Sequence, residues 1–133
     1  MNVKLSFEEI ANYVAKHYVV RPELKCVDGK SLEVSYSPSR FIPPMSVCVR
    51  IEGVRKDVVC LSYECGMGMS LLIAGAVTHL GSKLPHGVEV NTDEKRVNIF
   101  LERIDEIQRV LEFVQLEGIH VCEDGVEILV GLK

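Results

Sequence analysis

The chain has 133 residues, of which 47% are hydrophobic and 26% charged, with a formal net charge of −4. That length and balance suit one globular domain with its own core and exclude a disordered chain. Lysines and arginines are scattered, so no basic stripe exists to neutralise a phosphate backbone, and nucleic acid is not an expected partner.

Ser6-Phe7-Glu8-Glu9 reads as a capping box, and Phe7, Ile10, Ala11, Val14 and Tyr18 follow at helical spacing. A first helix is expected to about Val19, stopped by Pro22. Glu8 and Glu9 stand where a signal peptide needs its apolar run, so no export signal is read and a cytoplasmic location is expected. The period changes to two after Leu24, with Leu32, Val34 and Tyr36 alternating against Glu33 and Ser35 around an Asp28-Gly29 turn.

A proline-rich loop, 37–44, precedes a second hairpin in which Val47, Val49 and Ile51 alternate, with a turn expected near Gly53 and a return strand from Asp57 to Tyr63. The return strand is apolar on both faces and is expected to lie centrally. Residues 65–82 then carry no Asp, Glu, Lys or Arg, but four glycines interrupt the run. Its helical part, Met69 to Leu80, is about 18 Å long against a hydrocarbon core of roughly 30 Å. It is read as a buried core helix covering the sheet, with no membrane association.

A third hairpin is expected around Thr92-Asp93-Glu94-Lys95, then an amphipathic helix on Ile104, Ile107, Val110, Leu111 and Val114 ended by Gly118. A last hairpin turns at Asp124-Gly125. The expected architecture is a single α+β domain over 1–133: one antiparallel sheet of about four hairpins with three helices packed on it, in the order α-ββ-ββ-α-ββ-α-ββ.

The segment best suited to bind something is Glu64-Cys65-Gly66-Met67-Gly68-Met69-Ser70, where glycine backbone meets a helix N-terminus that favours anions. It lacks the third glycine of a dinucleotide fingerprint and the Gly-Lys-Ser/Thr ending of a P-loop. Glu64, Cys65, Gly66, Gly68 and Ser70 are the candidate ligand contacts, with Phe41 and Ile42 of the proline-rich loop as possible apolar neighbours.

A nucleophilic Cys65 needs a base, and His79 lies about 14 Å from Ser70 along the same helix. Only His17 or His120 could reach it through folding, so no catalytic residue is assigned. The five cysteines and four histidines show no ligand spacing such as CxxC, and neither a metal nor a cofactor is expected. These features favour a non-enzymatic interaction module, homodimeric or bound to another protein, pairing through a sheet edge or the apolar C-terminal strand. The alternatives are a domain binding a small apolar or anionic ligand between the sheet and helix 69–80, and an enzyme using Cys65 or Glu64.

Overall fold

The structure is a computed structural model, and it describes residues 1–18, 21–37, 45–80 and 86–133. The antiparallel α+β class holds, but the strands form two sheets. The larger is built from β2 (Glu23–Asp28), β3 (Ser31–Tyr36), β4 (Met45–Arg55), β5 (Val58–Cys65), β6 (Val88–Asn91) and β7 (Arg96–Phe100), in the order β2-β3-β4-β5-β7-β6. The smaller has β9 (Gly125–Leu132) between β1 (Asn2–Ser6) and β8 (Val114–Val121).

Register explains why the large sheet folds as it does. Leu32 pairs with Val49 and Val49 with Tyr63, while Ile51 pairs with Leu61 and Leu61 with Val97, so alternation stacks apolar side chains on one face. Glu33, Cys48 and Glu64 fall in one row of the opposite face. Ser31, Ile51, Val59 and Tyr63 from this sheet are buried, together with Ala11, Leu111 and Val121.

Helix α1 (Phe7–Tyr18) begins at the expected capping box. The Glu9 amide donates to Ser6 Oγ at 3.0 Å, and the Ser6 amide donates to Glu9 Oε1 at 3.3 Å. The helix is preceded by β1, a strand missing from the sequence reading. Only Val3 and Leu5 carry its alternation, too short a pattern to stand out. The Phe7 amide donates to the Asp124 carbonyl at 2.8 Å, and the Lys4 ammonium lies 2.7 Å from the Asp124 carboxylate. Lys4 thereby holds that exposed carboxyl below the ordinary aspartate range. The two sheets are joined where the Val121 amide donates to the Gly29 carbonyl at 2.9 Å.

Three sequence expectations are corrected. The helix expected over 104–114 is a 3-10 turn (Leu101–Arg103), a single helical turn α3 (Asp105–Gln108) and another 3-10 turn (Val110–Glu112). Its apolar positions are mostly β-branched, Val110 is 53% exposed, and β8 takes up Val114 in register with Leu132. A helix with so little of its face buried gives way to the sheet. Gly118 consequently sits at a bulge in β8 and ends no helix. Gly53 likewise marks a bulge inside β4, and the turn falls at Lys56, whose φ is 50°.

The third correction concerns α2 (Met67–Leu80), expected to be a core helix. It lies against β4, yet Leu71 is 70% exposed and Leu72 52%. Among the described residues no helix is long and apolar enough to cross a membrane.

Gly125 is where β9 crosses closest to the chain entering α1: a Cβ there would collide with the Leu5 carbonyl and the Ser6 Cα. At Gly66 a Cβ would meet open space. Chemical denaturation should therefore find Gly125→Ala less stable by about 1–3 kcal/mol, and Gly66→Ala within about 0.5 kcal/mol of the parent.

Candidate functional site

The sequence-derived junction is tighter than expected. Strand β5 continues through Glu64 and Cys65, so only Gly66 connects it to α2. Cys48 and Val47 of β4 lie opposite Glu64 and Cys65 respectively. The Ser70 amide is taken by the Gly66 carbonyl at 2.9 Å, the first turn of the helix. Gly66 does not use the positive φ that only glycine accepts readily, so the conformational reason for a glycine at that position is absent. Gly68 falls within the first turn of α2. Phe41 and Ile42 lie outside the described residues.

Cys65 is half-buried in β5, two residues beyond Tyr63. Burial pushes the Tyr63 hydroxyl up from its ordinary value, and the neighbouring Cys65 adds to the effect. The histidines that folding might have brought to Cys65 are engaged elsewhere. The ring of His17 stacks on Tyr13 with centroids 4.1 Å apart, and its Nδ1 is 3.0 Å from the Tyr13 carbonyl. That of His120 sits over Gly29, beside Lys30, whose carbonyl accepts from the Ile51 amide. Cys65 pairs with Val47, four residues back along β4, which puts it roughly 13 Å from that end of the sheet. A Cys65–His120 dyad is not formed. Among the described residues no three His, Cys, Asp or Glu side chains converge on a point, and all five cysteines are free thiols.

A cleft lies instead between α1 and the edge of the large sheet, a place the sequence did not single out. Its inner part, about 460 Å³, is walled by apolar groups: Phe7, Ile10 and Val14 from the helix, and Leu24, Leu32, Val34, Tyr36 and Val49 from the strands. An adjoining space of about 510 Å³ shares Phe7, Pro22 and Leu24 with it and adds Glu8, Arg21, Lys25 and Glu33. Arg21 Nη1 donates to Asn12 Oδ1, which ties the cleft's rim to α1. The cleft is thus apolar inside and charged at its mouth. The only sequence signals for it were the inward faces of α1 and β2–β3, and these are indistinguishable from an ordinary core pattern.

On the opposite face, Ser62 Oγ donates to Glu52 Oε1 at 2.6 Å, and Arg50 lies 3.8 Å from the same carboxylate. A space of about 480 Å³ beside it is lined by Glu52, Arg55, Glu94 and Arg96, charges that balance one another and favour neither an anion nor a cation. Compared with protein-family models, characterised proteins and solved structures, the chain matches none.

With neither a base nor a cation placed against it among the described residues, Cys65 should alkylate with iodoacetamide near neutral pH no faster than Cys48 or Cys60, as read by mass spectrometry of the labelled peptides. Selective labelling of Cys65 would restore it as a nucleophile.

Proposed function

We propose that this protein is a non-enzymatic interaction module that functions as a homodimer. The observation that carries the reading is the chain's incomplete burial. A compact monomer of 14.9 kDa exposes about 7,000 Å², whereas this chain exposes 9358 Å². The excess, about 2,300 Å², is well above the roughly 800 Å² that each partner contributes to a standard protein interface. Ten large hydrophobic residues among those described are exposed, against five that are buried. Exposed apolar side chains in that number favour a protein partner over free solvent.

The pairing route through the C-terminal strand is narrowed by topology. Strand β9 has β1 on one side and β8 on the other, so its backbone groups are already used within the small sheet. Contacts through faces, or through the edge strands β1, β8, β2 and β6, remain. Light scattering on the purified chain should give twice the monomer mass, and a monomer mass at every concentration would contradict the reading.

The cleft beneath α1 favours a second reading, a small-ligand domain, with the ligand under α1 in place of α2. Its apolar interior and charged mouth suit an amphiphilic molecule with one polar end. Native mass spectrometry should then show a retained mass that Val34→Trp, which fills the cleft, removes. A bare mass for the parent protein would count against it.

A further inference from the structure

We propose that the dimer surface is α2 itself, packed against α2 of a second copy of this chain with Gly75 at the crossing point. The proposal rests on the homodimer reading and specifies its interface. Helix α2 has no charged residue along its 14 positions, and its apolar residues are spread around the axis instead of gathered on one side. A helix of that kind is normally enclosed on all sides. Here its described packing is against β4, leaving Leu71, Leu72, Gly75 and Thr78 exposed.

Those four residues make one continuous stripe. At 100° per residue, Leu71, Gly75 and Thr78 follow one another along the helix at spacings of four and three, and Leu72 lies beside Gly75 one turn earlier. Gly75 is the centre of the stripe, and a Cβ on it would meet nothing within 4 Å. A glycine inside a helix costs about 1 kcal/mol relative to alanine, and among the described residues nothing uses its lack of a side chain. Close approach of a second helix would use it, bringing the axes to the short end of the usual separation of about 8–10 Å. A two-fold axis at Gly75 would set Leu71 and Leu72 of each chain against the other's stripe, the self-complementary arrangement of an isologous dimer.

Other exposed apolar groups fit a partner less well. Val110, Phe113 and Leu132 are interleaved with Arg109, Glu112 and Lys133, and β1 carries Lys4 between Val3 and Leu5. The α2 stripe has no charge to desolvate, so the only complement it asks for is another apolar, charge-free surface. A second copy supplies one by construction.

The test compares the parent protein with Leu71→Glu/Leu72→Glu by sedimentation equilibrium, with circular dichroism as the check on folding. The expected result is a parent dimer whose dissociation constant rises by roughly 100-fold or more in the variant while the strand signal is kept. A variant that stays as dimeric as its parent overturns the α2 interface and leaves the homodimer reading standing. A monomeric parent overturns both. Because the variant's folding could confound the result, a photoreactive benzophenone residue placed at Leu71 in the otherwise unchanged chain supplies the second readout. Covalent dimers joined to peptide 67–80 of the other chain support the proposal, and cross-links that map elsewhere, or none, overturn it.

Discussion

The stacked apolar rows of β3, β4, β5 and β7 set the terms for the rest of the molecule. Leu32, Val49 and Tyr63 are in register, as are Ile51, Leu61 and Val97, so this face needs cover from other elements. The chain provides it in two pieces. Helix α1 lies over the β2–β3 edge, and the small sheet meets β4 through β8. The hydrogen bond from Val121 to Gly29 fixes the second piece, and Val121 is only 2% exposed. The described packing of α2 is against β4.

The exposed side of α2 links the fold to the functional proposal. An element hydrophobic around its whole circumference is stable in water only when most of that surface is covered, and the described monomer leaves its Leu71–Gly75 stripe open. Lys4 with Asp124, Arg103 with Glu89, and Arg50 with Glu52 are exposed pairs, and Asn91 and Asp28 serve their own turns. Pairs of this kind contribute little to stability and mark no reacting centre.

Much of the architecture was legible in local patterns. The capping box fixed the start of α1, alternation fixed the strands from β2 to β7, and Asp28-Gly29 and Asp124-Gly125 marked the β2–β3 and β8–β9 turns. What escaped was decided by long-range pairing. β1 exists because β9 offers it a partner, and residues 101–113 are broken into single turns because β8 claims the chain from Val114. Burial of α2 was inferred from composition alone, and composition says that a helix needs cover without saying which molecule provides it. The cleft under α1 was hidden for a related reason: Leu24, Leu32 and Val34 look the same in sequence whether a helix packs tightly on them or stands away.

Hydrogen–deuterium exchange of the α2 amides across a dilution series tests most directly whether this helix depends on a second chain. If it does, protection of peptide 67–80 falls as the protein is diluted, while protection of β4 and β5 stays constant. Protection of 67–80 that is independent of protein concentration would contradict the account.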